Sequence, residues 1–341
     1  DLEVTYTLGL AGKEYTADTT SVDLSALSPT EILAAAETLG RMPELANVEL
    51  MTAAGTSPLS LSDVQTLVDA APQASFHYTF TLFDKTISTN DTQVEFKNLS
   101  LTEADIPALR SALGVMTDCT AFILDNCGLS SEQMAQIRAD YPRTELVWRI
   151  KFGKYSAMTN AETIRAVYNV FDDTSSELQY CWRVKYMDIG HNETLTDLSF
   201  VGSMPELEIL IASGCAVKEL TGFENCKKLE FLELAYCYKL ENIDALAGCE
   251  NLKNLNICYS KVSSLKALDG LPLEQFMCKQ TRVPAAEQKV FNEIHPKCVT
   301  NFYGKEPYAG AGWRYVDNGK TFTEIYKKVR EVFGYDDMPQ S

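Results

Sequence analysis

Three histidines, ten cysteines and 47 acidic residues are the side chains with which this 341-residue chain could do chemistry. Their spacing argues against catalysis. His77, His191 and His295 fall in different segments, too far apart in sequence to suggest a shared site. The chain has no His-Glu-x-x-His, EF-hand, phosphate-loop or nucleophile-elbow pattern. Asp172-Asp173 and Asp336-Asp337 are too sparse for calcium, which takes six or more oxygens, and read as solvated acids. Gly310-Ala-Gly312 lacks the strand-to-helix frame of a phosphate loop and reads as a turn in a cap. Cys258 has no nearby histidine in its own segment to lower its pKa. The expectation is of no catalytic residue, no metal and no cofactor. His191, close to Asp188, admits a ligand-facing role beside the plainer one of a solvated turn residue.

Eight of the cysteines lie after residue 180, and none forms a Cys-x-x-Cys pair. They recur instead at fixed places. Cys226 in Glu-Asn-Cys226-Lys-Lys-Leu and Cys249 in Ala-Gly-Cys249-Glu-Asn-Leu are 23 residues apart. Recurrence of this kind marks structural positions, so buried free thiols are expected. The even count would permit disulfides if the protein is exported.

The segment that positions these side chains is periodic. Leu207-Glu-Ile-Leu210-Ile-Ala212-Ser-Gly-Cys215, Leu229-Glu-Phe-Leu232-Glu-Leu234-Ala-Tyr-Cys237 and Leu252-Lys-Asn-Leu255-Asn-Ile257-Cys-Tyr-Ser260 share apolar residues at positions 1, 4 and 6 and a small or thiol residue at 9. Val184 and Leu273 open two further copies of this unit. This is the leucine-rich-repeat pattern, and it places the chain, by resemblance, in that superfamily. Positions 4 and 6 point to one face of a strand. One repeat cannot bury that face alone, so neighbours stack into a curved parallel sheet with helices or short turns on the convex side. Position 9 should satisfy backbone groups where the ladder ends.

The opposite, concave face would carry Tyr186 and Asp188, Ile209 and Ile211, Phe231 and Glu233, Asn254 and Asn256, and Gln275 and Met277. Tyr236 and Tyr259 stand at position 8 of adjacent repeats. Aromatics supply area and polar groups set orientation, so the row reads as a partner surface. The competing reading is that helices or the tail fold over it. On the first reading, Phe231→Ala or Tyr236→Ala should leave folding intact and weaken capture of a partner.

The N-terminal part repeats over a longer unit. Residues 4–31 align without a gap on 76–103, so that Val4–Leu10 falls on Phe76–Leu82 and Ser28-Pro-Thr-Glu31 on Ser100-Leu-Thr-Glu103; a third copy opens at Leu146. Ser28 and Glu31 have capping-box spacing, with Pro at the first helical turn. The plan is therefore an α/β leucine-rich-repeat solenoid. Residues 1–158 form irregular, hairpin-containing, ribonuclease-inhibitor-like repeats with a super-repeat of about 70 residues. A linker helix and loop follow over 159–183, with the helix at 160–168, then short repeats over 184–302 and a cap over 303–341 at the open end.

Net charge is −17, with 21 acidic and 8 basic residues in 1–150 and 26 and 22 in 151–341. An acidic surface repels nucleic acid and anionic lipid, so neither is an expected partner. No apolar run reaches the roughly 18 residues of a membrane span, so direct membrane insertion is not expected. The chain opens at Asp1 and reads as following a removed leader. Val147-Trp-Arg-Ile-Lys-Phe-Gly-Lys-Tyr155, the short repeats and Gly310-Ala-Gly-Trp-Arg314 together resemble uncharacterised exported leucine-rich-repeat proteins of gut-type Gram-positive bacteria. That resemblance implies a secreted or cell-surface location. The function expected is a non-enzymatic module that binds an extracellular protein, peptide or glycan, or else a spacer within a larger surface protein.

Overall fold

The computed structural model describes residues 7–308, 312–316 and 320–337 and divides into two units, 1–148 and 149–341. Residues 4–6 of the first long repeat and Gly310-Ala311 of the tail phrase lie outside the described residues.

The first unit alternates hairpins with strand–helix steps. Its elements are β1 (Thr7–Leu10), β2 (Lys13–Thr16), β3 (Ser21–Asp23), α1 (Ile32–Leu39), β4 (Asn47–Glu49), α2 (Leu61–Ala70) and β5 (Ser75–His77). There follow β6 (Thr79–Leu82), β7 (Lys85–Ser88), β8 (Gln93–Lys97), α3 (Ile106–Val115), β9 (Ala121–Asp125), α4 (Ser131–Asp140) and β10 (Glu145–Phe152). The chain leaves the unit within β10. β3, β4 and β5 form one parallel sheet, and β8, β9 and the first half of β10 form another. Helix starts follow the capping signals. The Ser28 amide donates to Glu31 at 3.1 Å and the Ser60 amide to Asp63 at 2.8 Å, each satisfying an orphan donor. Pro72 and Pro142 lie just beyond α2 and α4, whose last residues are Ala70 and Asp140.

The second unit holds β11 (Tyr155–Met158), β12 (Thr163–Arg165), α5 (Asp172–Ser175), β13 (Tyr186–Asp188), β14 (Ile209–Ile211), β15 (Phe231–Glu233), β16 (Asn254–Asn256) and β17 (Gln275–Met277). It closes with α6 (Ala285–Ile294), β18 (Val299–Asn301) and α7 (Glu324–Val332). β12 to β18 form one seven-stranded parallel sheet in chain order. Leu210, Leu232 and Leu255 are in register on adjacent strands. All three are fully buried, as are Ala212, Leu234 and Ile257 two residues on. Short 3-10 turns such as Asp244–Gly248 replace helices on the other side, because a step of 22 or 23 residues leaves too few for a longer element. The chain is a leucine-rich-repeat solenoid of mixed α/β content.

Position 9 does the work expected of it. Asn192 Nδ2 donates to the carbonyls of Ala166 and Ile189, and its Oδ1 accepts from the Val170 amide. The Cys237 thiol donates to the Ala212 carbonyl at 3.3 Å.

Residues 160–168 are not a helix. Thr163–Arg165 is β12, the first rung of the sheet, paired with Tyr186–Asp188. Ala, Glu and Arg favour a helix in isolation, but only Ile164 and Ala166 are apolar and buried, two apart, which is strand spacing. Hydrogen bonds to the open edge of β13 outweigh the local preference. The segment 171–180, expected as a loop, contains α5 and a 3-10 turn over Ser176–Tyr180.

Candidate functional site

The sheet face expected to meet a partner is occupied by the chain itself. The described residues of the tail, 303–308, 312–316 and 320–337, lie across it between β17 and β12. Over its first stretch the tail is held by its backbone. Gln280 Nε2 donates to the Gly304 carbonyl (2.9 Å), Tyr259 Oη to Lys305 (2.7 Å), Lys279 Nζ to Glu306 (2.7 Å), Asn256 Nδ2 to Pro307 (3.1 Å) and Gln275 Nε2 to Gly312 (3.0 Å). Each donor is a side chain carried by the repeats.

Trp313 then anchors the centre. Its ring stacks on Phe231 at 4.9 Å and its Nε1 donates to Glu233 at 2.7 Å. Glu233 also accepts from Ser213 Oγ at 3.1 Å and from Arg314 at 3.2 Å. A carboxylate with 1% of its side-chain surface exposed is thus matched by three donors, one of them cationic. The Arg314 guanidinium lies 3.7 Å from the centre of the Tyr308 ring.

Helix α7 covers the rest. Thr323 caps it, accepting from the Tyr326 amide. Tyr326, Val329 and Phe333 share its buried face and form one apolar cluster with Ile209, Ile211, Phe231 and Met277. Lys328 pairs with Glu208 at 2.8 Å and lies over the Tyr186 ring. At the far end Tyr335 donates its hydroxyl to Asp188, which also accepts from the Gly190 amide. Burial pushes the Asp188 carboxyl above its ordinary value; those two hydrogen bonds pull the other way.

The row named from the sequence is therefore assembled in register but does not stand open to solvent. Asp188, Ile209, Ile211, Phe231, Glu233, Asn254, Asn256 and Met277 are buried, and Tyr186, Gln275, Tyr236 and Tyr259 are partly covered. The tail lies across the face rather than over the open end of the stack. The physical reason is in the row: Ile209, Ile211 and Phe231 are too apolar to leave in water. Residues that sequence reasoning missed are Trp313, Tyr326, Val329 and Phe333. The signal of the last three was present as the spacing 326, 329, 333, one apolar face of a helix and its C-terminal end.

The remaining chemistry-bearing groups are apart. His77 pairs with Glu49 at 2.8 Å, His295 with the Leu268 carbonyl at 3.0 Å, and His191 stacks on Tyr168 at 5.2 Å. Among the described residues no group of three His, Cys, Asp or Glu could hold a metal. Nine cysteines are buried and all ten are present as thiols. Burial pushes the Cys258 thiol up to about 11 and those of Cys226, Cys237 and Cys249 to about 12, so none is a ready nucleophile. Among the described residues no helix is long and apolar enough to cross a membrane.

No family model and no curated protein matches the chain. Solved structures do. An internalin of Listeria monocytogenes matches at 16% identity and TM-score 0.38, covering 89% of this chain and 88% of that one. A leucine-rich-repeat protein of Leptospira interrogans matches at 13% and 0.38, over 78% and 74%. The functional domain of InlJ from Listeria monocytogenes, described as including a cysteine ladder, matches at 12% and 0.36, over 84% and 69%.

Proposed function

We propose that this chain is a non-enzymatic binding module and that its partner meets the turn-side edge of the short repeats rather than the covered sheet face. The supporting observation is a row of rings along that edge. Tyr168 and His191 stack at 5.2 Å and Tyr236 and Tyr259 at 5.0 Å, with Tyr238 beside the second pair. Tyr168 is 56% exposed and Tyr238 59%, although a solvated turn gains nothing from displaying them. Aromatic clusters of this kind supply contact area with few rotamers to freeze.

The covered face is a poor partner site on magnitude. Trp313, Tyr326, Val329 and Phe333 are each at least nine-tenths buried. Burying side chains of this size stabilises by roughly 1.5–3 kcal/mol apiece. Four of them approach the roughly 5–15 kcal/mol that holds a whole domain folded. A partner would have to replace all of that to displace the tail.

The partner is a protein, peptide or glycan, and a place outside the cytoplasm belongs to the same proposal, to be checked by fractionating the producing cell. The test of function is capture of a partner by the full chain. Tyr238→Ala should weaken capture while leaving the unfolding midpoint within a few degrees; Tyr236→Ala, whose ring also packs on Tyr308 of the tail, should weaken capture with some loss of stability. Capture that survives both substitutions refutes the edge. The covered face favours a second reading, a spacer whose repeats only separate other domains. Under it, no partner depends on any edge residue.

A further inference from the structure

Position 8 of successive repeats has one backbone conformation. Tyr168, His191, Gly214, Tyr236, Tyr259 and Gln280 have φ of 64°, 57°, 77°, 62°, 61° and 55°, all left-handed. The amides of His191, Gly214 and Tyr236 bond to the carbonyls of Ser213, Ala235 and Cys258 in the next repeat at 2.7–2.8 Å, which fixes one rung per strand. Four of the first five rungs carry a ring. Gly214 is the rung without one.

Backbone geometry does not account for this glycine, because tyrosine and histidine occupy the same φ region on both sides. Crowding does not either. A Cβ on Gly214 would come to 3.5 Å from His191 Cα and 3.6 Å from Nδ1, ordinary van der Waals contact. An open pocket of about 400 Å³ lies at Gly214, lined also by His191, Tyr236, Tyr238, Cys215 and Ala216. Neighbouring strands lie about 4.8 Å apart, so rings two rungs apart stand about 10 Å from each other. A flat ring midway would be about 5 Å from each, the distance at which stacking is favourable. The filled rungs on either side already stack at 5.2 and 5.0 Å.

We propose that the Gly214 slot receives one aromatic side chain from a peptide partner, which completes the interrupted stack between His191 and Tyr236. This rests on the reading that the turn-side edge is the recognition surface. A ring fits better than a sugar. Ala216 offers no polar side chain, and the Cys215 thiol is already directed at the Ile189 carbonyl. The charged groups lining the cavity are Glu193 and Lys239. One acid and one base suit the amide and carbonyl that flank a side chain.

The test uses the full chain and the capped peptide acetyl-Gly-Trp-Gly-amide, with the leucine peptide and N-acetylglucosamine as the other arms. With three histidines in the chain, the imidazole signal of His191 is assignable from His191→Ala. The tryptophan peptide should move that signal upfield, saturably, and the leucine peptide and sugar should not. Gly214→Tyr, which places the chain's own ring in the slot, should lower the unfolding midpoint by only the few degrees that a left-handed φ costs and lose at least tenfold in affinity. If Gly214→Tyr does not fold, an indole-to-Tyr236 nuclear Overhauser contact in the wild-type chain decides instead. No movement with the tryptophan peptide, equal binding by Gly214→Tyr, or movement with the sugar alone overturns the slot. A captured partner that needs Tyr236 and Tyr238 but is indifferent to Gly214→Tyr overturns the slot and leaves the edge standing.

Discussion

Trp313 and Glu233 are 80 residues apart in the chain, yet the indole Nε1 sits 2.7 Å from Glu233 Oε2. The bond joins the tail to the middle of the sheet, and Arg314 completes it on the other oxygen. Removing one partner of such a group strands the others. Glu233→Ala should cost about 3–5 kcal/mol, because the Arg314 charge and the indole N–H lose their acceptor in a buried place. Glu233→Gln, which keeps one acceptor, should cost less. A double-mutant cycle with Trp313→Phe, read by denaturant unfolding, should give a coupling of about 1.5–3 kcal/mol for a hydrogen bond to a charged group. A coupling near zero would mean that the Trp313–Glu233 bond adds nothing to holding the tail.

Phe231 lies under the same indole and is fully buried. The sequence expectation that Phe231→Ala leaves folding intact is corrected by that burial. The substitution should cost about 3–5 kcal/mol, the transfer term plus the cavity it leaves. Circular dichroism melts would show it. Tyr238→Ala, on an exposed ring, should change stability by less than about 0.5 kcal/mol.

The repeats were legible in the sequence because one rule acts at every rung. Leu210, Leu232 and Leu255 must point inward together, so their spacing predicts the register without any knowledge of the rest. The same rule named the outer row from Tyr186 to Met277 correctly as a face, but could not say what covers that face. Closure by Trp313 and α7 is a contact between segments that share no period, and only complementarity of Ile209, Ile211 and Phe231 with the helix settles it. Residues 160–168 failed for a related reason. Ile164 joins the sheet through its pairing with Met187, a neighbour 23 residues away, while the local residue types favour a helix. The Gly214 slot has a sequence signal, the one glycine among the rings at position 8, but its meaning requires the stacking geometry.

Asp188 gives the fold a pH dependence. Its carboxyl is pushed above the ordinary 3.8 by burial, against the hydrogen bonds from Tyr335 and Gly190. With the folded value raised, the folded state holds the proton more tightly than the unfolded chain. Stability from this group is fully present below 3.8 and is lost as pH rises through the folded value. Asp188→Asn should remove that component. The stability difference between wild type and Asp188→Asn should therefore move against the wild type from pH 4 upward, until Asp188 is ionised in both states. Paired denaturant titrations at stepped pH measure it, and a difference independent of pH would refute the raised value.

The thiols should be silent until the protein unfolds. Even Cys298, the one thiol not fully buried, is pushed up to about 11 by burial. Three pH units below that value, about one part in a thousand is thiolate. A thiol reagent at pH 8 should therefore label the native chain slowly, at Cys298 first, and all ten cysteines promptly in denaturant. Fewer than ten in denaturant without reductant would indicate disulfides.

Gly153 has a stricter requirement than any other described glycine of the second unit. It turns the hairpin between β10 and β11 at φ 58°, and a Cβ there would lie 1.8 Å from the Asn169 carbonyl oxygen. That oxygen already accepts from the Lys154 amide at 3.2 Å, so it cannot retreat without breaking the bond. Left-handed φ alone is tolerated here, as Tyr236 and Tyr259 show at 62° and 61°. The cost of Gly153→Ala is therefore steric, and should exceed the roughly 1 kcal/mol expected where only φ is strained. Gly214→Ala, at φ 77° with its nearest neighbour at 3.5 Å, isolates the conformational part. Thermal unfolding should place Gly153→Ala well below Gly214→Ala. Equal midpoints would mean that the segment around Asn169 yields freely.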